Sequence, residues 1–146
     1  MGGNTCEVVV GRLLEVRYAP GPNNVVDVLG MIDLVAGCLD TLEPSARFAV
    51  VADWRAVPVM SPENAARTAQ MLADRNDRVV RSAVLTPPGN PTTHMQIARL
   101  VHEAENSNRK HFASPHALYR WLSEILTEAE SKRLRAFLAI GVSGDV

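Results

Sequence analysis

The sequence is poor in lysine, aromatics and cysteine, and it contains no long apolar run. Only two of its 15 basic residues are lysines, Lys110 and Lys132. Against 16 acidic residues the formal net charge is -1, so no footprint for nucleic acid is present. No stretch reaches the about 18 apolar residues of a membrane-spanning helix, and no membrane partner is expected. Met1-Gly2-Gly3-Asn4-Thr5 lacks the basic and apolar regions of a secretory signal, so a cytoplasmic location is expected. Two cysteines, Cys6 and Cys38, stand 32 residues apart and form no CxxC pair. Cys38 falls in an apolar helical pattern and reads as a small buried hydrophobe. Glycine-rich phosphate loops and a GxSxG elbow are absent too, and the strand–helix junctions carry proline instead. No cofactor and no metal are expected.

What is present is one domain's worth of ordinary globular chain. Its 146 residues are 47% hydrophobic and 21% charged, which excludes intrinsic disorder. The whole chain, 1–146, reads as a single domain with its core over about 6–138 and a frayed tail at 141–146. Cys6–Val10 and Leu13–Ala19 are β-rich runs separated by Gly11-Arg12, which suits a hairpin. Pro20 to Asn24 is a loop signal. From Val25 to Leu42 the apolar residues follow a helical stripe. Phe48 to Ala52 is apolar throughout, as in a strand buried on both faces.

Three helix starts then share one punctuation. Ser61-Pro62, Asn90-Pro91 and Ser114-Pro115 each pair an N-cap residue with proline at the first helical position. Strands at Val79–Leu85 and Arg109–Phe112 lie between these helices. Thr127 and Glu130 make a capping box that opens a last helix reaching Leu138. The order ββ-α-β-α-β-α-β-α-α predicts an α/β fold. It is a single mixed, mostly parallel sheet of 4–5 strands with an antiparallel N-terminal edge and five helices.

Most chemical motifs dissolve on inspection. His94 and His102 sit eight residues apart on one predicted helix, off the i, i+4 spacing of a helical metal pair. They read as solvated or half-buried, with His111 and His116. The acidic sets Asp27/Asp33/Asp40, Asp74/Asp77 and Glu128/Glu130 read as helix surface, cap or dipole complement. The basic clusters Arg75/Arg78/Arg81 and Lys132/Arg133/Arg135 read as solvated faces balanced by nearby acids. Asp53-Trp54-Arg55 differs, because it stands at the carboxyl end of the buried strand, where ligands and partners of α/β sheets bind.

The run from Val50 through Asp53-Trp54-Arg55-Ala56-Val57-Pro58-Val59-Met60-Ser61-Pro62-Glu63 resembles the STAS (anti-sigma factor antagonist) family of bacteria. There a buried strand ends in Asp, a short loop carries a central Val, and a Met-Asp-Ser-type helix start follows. His111 to Leu122, a short strand with a small polar cap and a helix bearing Ala117 and Trp121-Leu122, is similar to that superfamily's ending. The likeness in layout spans about residues 6 to 126. It implies protein–protein switching without catalysis. In regulatory members a kinase phosphorylates a Ser or Thr at this helix start. By position the family's aspartate falls on Ser61 and its phosphoacceptor on Pro62, which cannot be phosphorylated, and Glu63-Asn64 replaces the usual glycine. Ser61 therefore reads as a plain cap rather than a phosphorylation site. The departure points to STAS-like members that lack the switch.

The leading expectation is a non-enzymatic STAS-like regulatory or scaffold module that binds a protein partner. Candidate residues for partner or ligand are Asp53, Trp54, Arg55, Val57, Met60, Ser61 and Glu63, since Trp and Arg are enriched in binding hot spots. A second reading is a small-molecule or acyl-chain binder with a closed apolar pocket near Trp54. A third is an enzyme that brings Asp53, Arg55 and His111 within hydrogen-bond reach. Self-association as a homodimer is expected through an exposed N-terminal strand edge or the apolar stripe of the last helix.

Overall fold

A computed structural model of the chain describes residues 4–18, 28–104 and 107–139. The expected loop at 20–24, the first helical residues 25–27 and the tail at 141–146 lie outside the described residues. Strands β1 (Thr5–Val8), β2 (Leu13–Arg17), β3 (Phe48–Asp53), β4 (Val79–Leu85) and β5 (Arg109–Phe112) form one sheet in the order β1-β2-β3-β4-β5. β1 pairs antiparallel with β2, and every later pair is parallel. The helices are α1 (Val28–Asp40), α2 (Pro62–Asp74), α3 (Pro91–Glu103), α4 (Pro115–Ser123) and α5 (Glu128–Leu138). The expected α/β architecture is the one observed.

Strand order follows chain order, so every crossover steps in the same direction. Right-handed crossovers then place α1, α2 and α3 on one face of the sheet. That face carries Leu14, Val16, Tyr18, Phe48, Ala52, Trp54 and Val84, packed with Met31, Val35, Ile97 and Leu100. The opposite face would be left bare, and the two helices that follow β5 cover it. Leu13, Ala49, Val51, Ala83 and Leu85 pack there against Leu118, Leu122, Leu134 and Phe137.

The helix starts are built as their residues dictate. Ser61 Oγ accepts from Asn64 N at 3.1 Å, Asn90 Oδ1 from Thr93 N at 3.1 Å and Ser114 Oγ from Ala117 N at 3.3 Å. Each occupies free donors of a first turn. Thr127 Oγ1 accepts from Glu130 N at 3.1 Å, while Glu130 Oε1 accepts from Thr127 N at 2.8 Å.

Helix α5 bears out the cap read for Glu130 and corrects two other expectations. Glu130 is a buried residue, and its second oxygen accepts Arg12 N at 2.7 Å in the β1–β2 turn. Gly11 in that turn has φ +58°, and a Cβ there would run into the Glu130 carboxylate, so glycine is required twice over. Arg133 is no solvated charge either. Its Nε and Nη2 donate to both oxygens of buried Glu15 on β2, at 2.6 and 2.8 Å. The apolar stripe Leu134, Phe137 and Leu138 is buried against the chain's own sheet, so it is not free for a second copy. Among the described residues no strand pairs with the outer edge of β1, which is only four residues long and carries Glu7.

The Arg75/Arg78/Arg81 cluster is also structural. Arg78 donates to the carbonyls of Ala46 and Glu43, and Arg81 to the carbonyl of Trp121 and to Glu124. These arginines fasten loops and helices to the sheet rather than pairing with Asp74 and Asp77.

Removing Arg133 strands the Glu15 carboxylate in the core. Because a third of the Arg133 side chain is exposed, Arg133→Ala is expected to destabilise by about 2–3 kcal/mol, below the fully buried case. The paired change Glu15→Met/Arg133→Met should recover most of that loss. Urea unfolding of the wild type and the two variants checks it.

Candidate functional site

The carboxyl ends of β2, β3 and β4 meet at Asp53. It lies in register with Arg17 and Leu85, and so it faces the α4–α5 side. Asp53 is 6% exposed, and its carboxylate accepts four hydrogen bonds. Arg17 Nη1 donates at 3.1 Å, and Arg55 donates through N at 3.1 Å, Nε at 3.0 Å and Nη2 at 3.0 Å. The Arg17 guanidinium also lies over the Phe137 ring, 4.6 Å from its centroid. Burial alone would raise the Asp53 carboxyl's pKa. The Arg55 hydrogen bonds and the charges of Arg55 and Arg17 outweigh that and hold it below the usual carboxylate range.

One residue on, the chain points the other way. Trp54 donates its backbone N–H to Leu85 O at 3.0 Å and buries its indole on the α1–α3 face, edge-on to Tyr18 with centroids 5.8 Å apart. Val57 N closes a turn onto Trp54 O at 3.0 Å. Gln96 of α3 then holds the Met60 backbone in both directions. Its Oε1 accepts from Met60 N, and its Nε2 donates to Met60 O, each at 2.8 Å.

This divides the expected site residues. Trp54, Val57 and Met60 are core side chains, and Asp53 is consumed by its two arginines. Arg55 is half-buried, while Ser61 and Glu63 are exposed, Glu63 in an i, i+4 pair with Arg67 at 2.7 Å. Two apolar residues are exposed at this end, Val59 at 49%, within the Val57–Glu63 loop expected to bind, and Met95 at 71%, which the sequence reading did not single out. Val59 has no periodic context, because Pro58 breaks any pattern. Met95 reads as one more apolar residue of an amphipathic helix until α3 is oriented.

His111 does not join this site. It is in register with Val84 and Ala52, on the α1–α3 face, while Asp53 and Arg55's contacts lie on the other. The sheet separates them, so Asp53 and His111 cannot act as an acid–base pair. His111 instead packs edge-on to His94, with centroids 5.0 Å apart. Thr86 Oγ1 lies within hydrogen-bond distance of both His94 Nδ1 and Phe112 O, at 3.1 Å each. Burial, then the neighbouring His94, push His111 below the ordinary imidazole value. Among the described residues no group of three or more His, Cys, Asp or Glu is placed to hold a metal ion.

A small, partly open apolar cavity touches Trp54, between β2–β4 and helices α1 and α2. It measures about 60 Å³ and is lined by Val16, Met31, Val35, Phe48, Ala52 and Trp54 among others. A cavity of roughly 150 Å³ is what admits benzene. This one accepts no acyl chain without rearrangement. It is a packing defect beside an indole whose Nε1 has no partner among the described residues.

Comparison with protein-family models, with curated proteins and with solved structures finds no match for this chain.

Two outcomes follow from the burial of these groups. Trp54→Ala is expected to destabilise by about 3–5 kcal/mol, as a large core truncation that widens an existing void. Denaturant unfolding checks it. The pH dependence of melting should fall in two steps. His111 is depressed in the folded state, so protons bind the unfolded chain more readily and stability drops as pH falls below about 6.5. Asp53 and Glu130 are also depressed when folded. Their contribution is complete above the unfolded carboxylate range, about 4, and is lost below it. Asp53→Asn should flatten the second step and leave the first unchanged, read by melting curves from pH 8 to 3.

Proposed function

We propose that the chain is a non-enzymatic, STAS-like regulatory or scaffold module of the cytoplasm that docks a protein partner on the carboxyl end of its sheet. One observation carries this reading. The β3–α2 segment is held rigidly at Asp53–Arg55 and at Met60–Gln96, yet it presents apolar Val59 outward. The Gln96 clamp sets that segment against the α3 turn bearing Met95, the most exposed large hydrophobic residue among those described. A stiff loop loses little conformational freedom on binding, so apolar contact there converts efficiently into affinity. Arg55, Ser61 and Glu63 supply the polar margin.

The observed sheet agrees with the layout that the STAS resemblance implies, an antiparallel hairpin edge followed by parallel strands with intervening helices. Ser61 serves as the N-cap of α2 and Pro62 fills its first turn, in keeping with a member that lacks the phosphorylation switch. No helix among the described residues is long and apolar enough to cross a membrane. The acyl-chain reading finds no support in a cavity of this size, and the Asp53–His111 chemistry finds none in the geometry.

Affinity capture from a bacterial lysate, scored for one recurrent partner, tests the surface. Val59→Asp and Met95→Asp are each expected to weaken capture at least about tenfold while leaving the melting temperature unchanged. Ala129→Asp, at the opposite end of the sheet, should leave capture intact. Equal capture by all three variants would contradict the assignment.

A further inference from the structure

The two cysteines that the sequence keeps 32 residues apart meet in the fold. Cys6 lies on the edge strand β1, where Cys6 and Val8 turn inward and Thr5 and Glu7 outward. Cys38 lies on α1, and Leu34 of that helix and Thr41 just beyond its end line the same edge. Both cysteines line one open groove of about 450 Å³ on this edge. Both are half-buried, both pack on the same core cluster, and Cys38 stands close enough to the Cys6 thiol to raise it. Gly37 leaves the groove unobstructed beside Cys38.

We propose that Cys6 and Cys38 are a redox-active dithiol that closes to a reversible disulfide joining β1 to α1, with a small disulfide such as oxidised glutathione as the oxidant. The Cys38 thiolate attacks one sulfur of the small disulfide, whose S–S bond breaks and releases one thiolate. Cys6 loses its proton and attacks the Cys38 sulfur of the mixed disulfide, expelling the second thiolate. The protein gives up two electrons and two protons, and the oxidant becomes two thiols. The roles follow from the surroundings. Burial, then Cys38, then Glu7 raise the Cys6 thiol, so Cys6 keeps its proton and resolves rather than attacks. Glu7 and Asp33 line the groove, and no basic residue among those lining it favours a thiolate. Oxidation is therefore slow at neutral pH and accelerates as pH rises. Proximity makes the closed product stable once formed.

The test equilibrates the full chain in native buffer with glutathione and its disulfide over a range of ratios, followed by intact mass and melting. The expected product has lost two hydrogens and carries no adduct. It melts about 5 °C or more above the reduced chain, and dithiothreitol reverses both changes. Cys6→Ser and Cys38→Ser should each carry one glutathione and show no such rise. Three results would each overturn the proposal: wild-type chain bearing glutathione on both thiols, wild-type chain still fully reduced at the oxidising limit, or a crosslinked form that melts no higher than the reduced one.

Discussion

A single buried carboxylate at the end of the central strand organises the carboxyl end of this molecule. Asp53 cannot be left unpaired there, since an isolated buried charge is prohibitively unfavourable. It draws Arg17 from β2 and folds Arg55 back from the loop. Arg17 in turn reaches α5 through Phe137, so one group couples two strands, a loop and a helix of the far layer. With Asp53 anchored outward on one face, strand alternation sends Trp54 into the other. The position of the loop, the α2 start and the exposed Val59 follow from that anchoring.

The elements themselves were legible because their signals are local. The Ser-Pro, Asn-Pro and Thr-x-x-Glu starts fall where the helices begin, since capping depends on residues within one turn. The face on which each strand residue falls was not legible. Phe48-Ala49-Val50-Val51-Ala52 is apolar at every position, so its alternation carries no information about which side is which. Trp54 was therefore a candidate binding residue although it is core, and the third reading could ask Asp53 and His111 to meet although the sheet lies between them. The arginine clusters were misread for a related reason. Arg78, Arg81 and Arg133 satisfy carbonyls and acids far along the chain, and sequence proximity to Asp74 or Glu128 says nothing of that.

The arginine-rich, lysine-poor composition acquires a physical sense. A planar guanidinium can fork onto a carboxylate or two carbonyls and lie over a ring at once. Arg17, Arg78, Arg81 and Arg135 all combine a hydrogen bond with a ring contact. They stiffen a fold whose aromatic content is low. Arg17 acts at the carboxyl end of the sheet, where the proposed docking surface lies, and Arg78 at its amino end. The proposed dithiol sits on the outer strand β1, two strands from β3, and neither cysteine is among the proposed docking residues.

The proposed docking surface requires a β3–α2 segment that is rigid before any partner arrives. Native-state hydrogen exchange at single-residue resolution measures this directly. The amides of Arg55, Val57 and Met60 donate to Asp53, Trp54 and Gln96, and each should exchange at a rate near that of the core strands. Exchange at these three amides close to the rate of an unstructured peptide, with β3 and β4 still protected, would contradict a preorganised surface.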